Sequence, residues 1–146
     1  MERIINKDAR HNYEFLEAFE AGIVLSGAEV KSVKNGRMNL KGTYVSLRDN
    51  EIWLVNSHIA AYQIKNQVGY TPEHDRKLLL RKSEIKRIIG KLQEKGLTIV
   101  PEIVYSKSGL IKVRLQLAKG LKKHDKREKI KQRDVKRDLA RLMKQS

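Results

Sequence analysis

From Leu110 to Ala118 the chain reads LIKVRLQLA, and this stretch constrains the fold most. Ile111, Val113, Leu115 and Leu117 alternate with Lys112, Arg114, Gln116 and Ala118. Successive side chains of a strand point to opposite faces, so period-two alternation specifies a half-buried β-strand. The preceding LTIVPEIVYSKSG supplies a partner strand, with Ser106-Lys107-Ser108-Gly109 as the turn. TYVSLRDNEIWLVNSHI reads as a second hairpin folded at Asp49-Asn50, since Asx residues tolerate the left-handed backbone of tight turns. Trp53 lies in its apolar run IWLV and is expected in the core.

The helical signals are fewer. In RKSEIKRIIGKLQEKG, Ile85, Ile88, Ile89 and Leu92 form one apolar stripe, with Ser83 expected as N-cap, Glu84 in the first turn and Gly96 after the end. SGAEVKSVKNG predicts a shorter helix. Ser26 and Glu29 have capping-box spacing, and Asn35-Gly36 stops it. YEFLEAFEAGIVL fits either period, but Gly22 and the β-branched pair Ile23-Val24 favour a strand. Hairpins outnumber strand–helix–strand units, which argues against a doubly wound sheet. The expected class is mainly β: a closed or partly open barrel of the oligonucleotide-binding type, with short helices packed around it.

Charge limits the partners. Of 146 residues, 32 are Lys or Arg and 17 are Asp or Glu, a formal charge of +15. The segment from Lys119 to Ser146 carries +8 of it, from twelve bases and four acids, and residues 1–118 carry +7. An excess of this size calls for an anionic partner, nucleic acid ahead of a membrane surface. The natural division is a β domain over residues 1–118 and a basic tail over 119–146. The tail lacks Gly and Pro after Gly120, and its acids have bases three or four residues on, such as Asp125 with Lys129 and Asp134 with Arg137. Val135, Leu139 and Leu142, with Met143 beside them, form only a thin apolar seam. The tail is therefore expected to be disordered or helical, and to become helical on an anionic partner.

Enzyme chemistry finds no foothold. There is no cysteine, which excludes disulfides and thiol catalysis. His11, His58, His74 and His124 form no metal-binding pair, and neither a phosphate loop nor a nucleophile elbow is present. No apolar run approaches the ~20 residues of a membrane span, and no signal-peptide core opens the chain. The expectation is a cytoplasmic, non-enzymatic protein with no membrane, metal or cofactor requirement. Tyr62, Tyr70, His74 and His124 are the candidates for stacking on unpaired bases.

The blocks NKDARHNYEF, EAGIVLSGAEVKSVKNGRMNLKGTYV, HDRKLLLRKSEIKRIIGKLQEKGLTIVP and KGLKKHDKREKIKQR together closely resemble the SsrA-binding protein family (small protein B), in order and over almost the whole chain. The resemblance implies binding of transfer-messenger RNA (tmRNA) through its tRNA-like domain and delivery to stalled ribosomes for trans-translation. It implies a tail that enters the empty mRNA channel at the small-subunit decoding centre, and elongation factor Tu as a further partner through the charged tmRNA complex. It places tmRNA contacts at Glu20, Leu79 and Lys112. The ribosome-facing positions are His11 and, in the tail, Gly120, Lys122, Lys123, His124, Asp125, Lys126 and Arg127. Without it, Glu20 reads as a local ion-pair partner, Leu79 as strand core and Lys112 as the polar face of a strand. Leu121 departs from the family pattern, where another lysine is common at the root of the tail.

Overall fold

A computed structural model describes residues 1–63, 68–121 and 123–145, excluding the side chains of residues 123–126, 128–130, 132, 144 and 145. The element order is β1 (Ile4–Ile5), α1 (Lys7–Asn12), β2 (Tyr13–Ile23), α2 (Gly27–Lys34), β3 (Met38–Asn39), β4 (Tyr44–Arg48), β5 (Glu51–Val55), β6 (His58–Ile59), β7 (Arg76–Leu79), α3 (Lys82–Leu92), β8 (Leu97–Lys107), β9 (Leu110–Gly120) and α4 (Lys123–Gln145). Seven strands form one antiparallel sheet in the order β1-β8-β9-β2-β7-β5-β4, and β3 pairs with β6 separately. Among the described residues, no helix is long and apolar enough to cross a membrane.

The alternating segment is β9, and it lies inside the sheet between β8 and β2. Val113 and Leu115 are fully buried and Lys112 and Arg114 face outward. The opposite face is itself covered further along. Gln116 is buried because its Nε2 donates to Glu102 Oε1 at 2.7 Å, and Ala118 packs with Ala9 of α1 and Val100. The ambiguous segment is a strand, β2, which pairs with β9 along almost its whole length. Both predicted hairpins are present. Asp49 and Asn50 take φ of 49° and 62°, and Ser108 and Gly109 take 51° and 79°, the left-handed pair that two-residue hairpin turns require.

The capping box of α2 is present as read, Ser26 accepting from the Glu29 N–H at 3.2 Å and Glu29 accepting from the Ser26 N–H at 3.0 Å. The start of α3 differs. The helix begins at Lys82 with Arg81 at the cap, and Glu84 accepts the Arg81 N–H at 3.1 Å, so the expected Ser83 cap lies inside the first turn. Glu84 beats the hydroxyl because its carboxylate both accepts a donor and complements the helix dipole. Trp53 also differs. Ile52 and Leu54 are fully buried, and Trp53 between them necessarily points to the other face.

Of the two barrel forms expected, the partly open one is observed: among the described residues, the main sheet does not close through hydrogen bonds. Tyr44 and Val45 of β4 face Thr98–Val100 of β8 across a cleft of about 370 Å³, also lined by Ala9 and Tyr13. The core inside the curve is built from Phe19, Ile52, Leu54, Leu78, Val113 and Leu115, and Ile88 of α3 and Val33 of α2 join it.

Candidate nucleic-acid interface

Glu20, Leu79 and Lys112 come from three different strands, and the sheet order makes those strands neighbours. Gly22 of β2 pairs with Leu79 of β7 on one side and Lys112 of β9 on the other, and Lys112 pairs in turn with Tyr105 of β8. This row runs across the outer face of the sheet. Its one missing side chain is that of Gly22, and the gap is the floor of a cleft of about 500 Å³ lined by Glu20, Gly22, Leu79, Arg81, Glu84 and Lys112. Leu79 is 51% exposed, so the reading of it as core is wrong: Leu78, its neighbour, takes the inward position.

Glu20 is exposed yet held in place. Tyr105 donates its hydroxyl to Glu20 Oε2 at 2.7 Å, and Lys107 Nζ lies 3.2 Å from the same oxygen. These two hydrogen bonds, and the charges of Lys107 and Lys112, lower the Glu20 pKa despite some opposing desolvation. Burial, then the hydrogen bond and charge of Glu20, push Tyr105 up to about 12, so it remains a donor. The Arg114 guanidinium lies over the Tyr105 ring, 5.4 Å from its centroid. The cleft therefore offers an ionised acceptor suited to base amino or ribose hydroxyl groups, cations suited to phosphate, and an exposed leucine for a base or sugar face. Its lining holds no histidine, serine or cysteine. Among the described residues, no cluster of acids and histidines could hold a metal ion.

The other end of β2 and β9 carries the root of the tail. Tyr13 pairs with Gly120, and the Leu121 N–H donates to Asn12 O at 2.9 Å, which sets the tail root beside the last turn of α1. His11 is exposed on that turn, and Gly120 is exposed at the strand end. Tyr13 to Gly22 spans about 30 Å of strand at ~3.3 Å per residue, so the cleft and the tail root lie at opposite ends of the same two strands. Lys122 lies outside the described residues, as do the side chains of Lys123, His124, Asp125 and Lys126 and the pairing of Asp125 with Lys129. Arg127 is exposed on α4, and the pairing of Arg137 with Asp134 is present at 3.1 Å. Val135, Leu139, Leu142 and Met143 are exposed.

Two of the stacking candidates have structural contacts instead. Tyr70 and His74 both reach Glu29 Oε2, at 3.1 and 2.9 Å, and Arg76 reaches it through Nε at 2.9 Å and Nη2 at 2.7 Å. Arg76 also donates to Ser57 O at 2.8 Å and Pro72 O at 2.8 Å, so this fully buried guanidinium pins the segment before β7 to α2. Burial opposes the Glu29 charge, but hydrogen bonds from Ser26, Arg76 and His74 and the Arg76 charge lower its pKa to about 2. Tyr62 lies under Lys31, whose Nζ is 5.3 Å from the ring centroid. Sequence reasoning missed Tyr105, Arg81 and Glu84 as neighbours of the cleft. Strand register brings Tyr105 there and the junction of β7 with α3 brings Arg81 and Glu84, and no local pattern announces either.

A basic, antiparallel β body with a polar surface cleft and a cationic C-terminal helix defines the class of small β proteins built to meet an anionic polymer. The SmpB protein family model matches residues 3–145. The SsrA-binding protein of Trichormus variabilis is 51% identical over 140 residues, covering 95% of this chain and 90% of the relative. That of Sulfurihydrogenibium sp. is 50% identical over 139 residues, covering 95% and 91%. A chain of the solved structure described as "tmRNA-SmpB: a journey to the center of the bacterial ribosome" superimposes with a TM-score of 0.68 at 41% identity, covering 88% of this chain and 94% of that one. The chain belongs to the SmpB, or SsrA-binding, protein family.

Proposed function

We propose that the protein is a non-enzymatic adaptor that binds tmRNA through its tRNA-like domain and delivers it to stalled ribosomes for trans-translation. Glu20, Leu79 and Lys112 contact the RNA at the cleft. The body, residues 1–118, carries that contact. The basic tail, residues 119–146, follows the vacant mRNA channel towards the decoding centre, with Lys122, Lys123, His124, Asp125, Lys126 and Arg127 near its root. His11 and Gly120 face the ribosome with it, and elongation factor Tu joins through the charged tmRNA. The observation that carries this reading is that Glu20, Leu79 and Lys112, far apart in sequence, line one surface cleft. Family membership and the separation of the cleft from the tail root support the division of labour.

Mechanistically, outward cations neutralise phosphates and release counterions, while the cleft contributes the contacts that favour one RNA shape. With about six to ten phosphate contacts, affinity falls roughly 10³–10⁵-fold between 50 and 200 mM salt. The test is competition binding of the full-length chain to the tRNA-like domain of tmRNA, an elongator tRNA and an unrelated hairpin at one fixed salt concentration. Strong preference for the first is expected. Equal affinity for all three would replace the adaptor with a general RNA chaperone, in which the +15 charge dominates. Truncation after Gly120 is expected to leave tmRNA binding nearly intact and abolish peptide tagging.

A further inference from the structure

We propose that the outer face of β5 around Trp53 is a nucleobase-stacking platform, an extension of the cleft on which an unpaired base of the bound RNA lies against the indole. The proposal rests on the RNA-binding reading of the cleft. Trp53 sits on the outer side of the sheet, between Ser46 of β4 and Lys77 of β7 in register. Leu79, the exposed leucine of the cleft, is two residues along β7 from Lys77, about 7 Å away on the same face. Val24, 51% exposed, donates its N–H to Lys77 O at 2.9 Å and completes the link. Apolar side chains thus gather on an outer face continuous with the cleft, where the alternation of β5 offered the core as an alternative for the largest of them. Leu79 and Val24 are exposed and Trp53 beside them is half-buried, and apolar side chains grouped in this way mark an interaction surface as scattered ones do not.

The charges on this face tell what kind of contact it makes. Arg48 is held by Asp75 at 2.6 Å and Lys77 by Glu51 at 3.1 Å, so both local cations are already matched by acids. The Arg48 guanidinium carbon lies 6.0 Å from the Trp53 ring centroid, which orients the indole from one side. A neutral patch does not recruit phosphate. It adds an aromatic surface beside a site that does, and base–aromatic stacking tolerates any sequence because every base has a π-face.

Trp53 is the chain's only tryptophan, so its fluorescence reports on this face alone. Full-length protein is titrated with the tRNA-like domain of tmRNA while binding is measured separately by filter retention. Quenching that saturates with the retention curve is expected. Trp53→Ala is expected to weaken binding roughly tenfold to a hundredfold without changing the slope of log K against log salt, because no counterion is released there. Trp53→Phe keeps an aromatic face and the fold, and is expected to retain most of the affinity. The proposal is overturned if Lys112→Ala weakens binding while Trp53 emission is unmoved and Trp53→Phe and Trp53→Ala, both folded by circular dichroism, bind like the parent. Full affinity in Lys112→Ala and Glu20→Ala, whatever the Trp53 signal, would overturn the cleft reading and with it a platform placed as the cleft's extension.

Discussion

Glu20 and Glu29 stand nine positions apart, and the fold gives them opposite situations. Glu29 is 4% exposed and faces Ser26, Tyr70, His74 and Arg76. Glu20 sits on the outer face with two partners, Tyr105 and Lys107, and open solvent beyond. Both carboxyls are pulled below their ordinary value, but the consequence differs with burial. A buried charge cannot fall back on water, so its partners become part of the fold. An exposed one can exchange its partners for a ligand at little structural cost. A lowered pKa alone therefore does not identify a binding residue; the solvent on its open side decides.

The largest effect is expected from removing the buried carboxylate. Glu29→Ala leaves the fully buried Arg76 without its counter-charge, and breaking such a pair costs about 3–5 kcal/mol. A drop of that size in chemical denaturation would separate it from Glu20→Ala, which is expected to leave the denaturation midpoint almost where it was. Equal midpoints for the two would dissolve the comparison. Acid gives the same contrast without mutation. Glu29 has its pKa depressed from the ordinary 4.5 to about 2, so its contribution is fully present above 4.5 and is lost as pH falls through that interval to about 2. Stability measured from pH 6 down to 2 should fall steeply across that window in the parent, and much less in Glu29→Gln.

Much of this fold is legible in the sequence, and the part that is not has one physical cause. Period-two alternation locates β9 because one face of it is apolar, and the Asp49-Asn50 and Ser108-Gly109 turns announce themselves because few residues tolerate positive φ. The capping box of α2 is local, so it can be read locally. Glu29 shows the limit: its spacing to Ser26 reveals one oxygen's partner, while Arg76, which binds the other, is 47 residues away. Trp53 shows it again. An apolar run does not say which members face inward until the register with β4 and β7 is known. The cleft is of the same kind, since resemblance supplied Glu20, Leu79 and Lys112 but only strand pairing adds Tyr105 and Gly22 to them.

The next effect concerns binding alone. Glu20→Gln keeps the size of the side chain and removes its charge. Hydrogen bonds to a charged group outweigh those to a neutral one by about 1–1.5 kcal/mol, so affinity for the tRNA-like domain should fall roughly fivefold to tenfold. The thermal midpoint should barely move. Tyr105→Phe removes the donor that orients Glu20 without touching the carboxylate, and should produce a smaller loss of the same kind. If Tyr105→Phe binds fully while Glu20→Gln does not, the carboxylate is oriented by its ligand and not by the sheet.

The smallest effect is expected at Gly22, where stability and binding should move in opposite directions. Gly22 lies between Leu79 and Lys112 in the cross-strand row, with no positive φ to require a glycine there. A Cβ at this position would lie 3.4 Å from Leu79 Cβ and 3.6 Å from its Cδ1, ordinary van der Waals contact. Gly22→Ala should therefore fold, and should gain roughly 0.5–1 kcal/mol from the reduced freedom of the unfolded chain. The methyl group nevertheless occupies the floor of the cleft, where it fills space between the two side chains expected to touch RNA. A few-fold loss of affinity alongside a slightly raised melting temperature would show that the glycine is kept open for the ligand. A raised melting temperature with unchanged affinity would show that the RNA rests on the rim, on Glu20 and Lys112, and never reaches the floor.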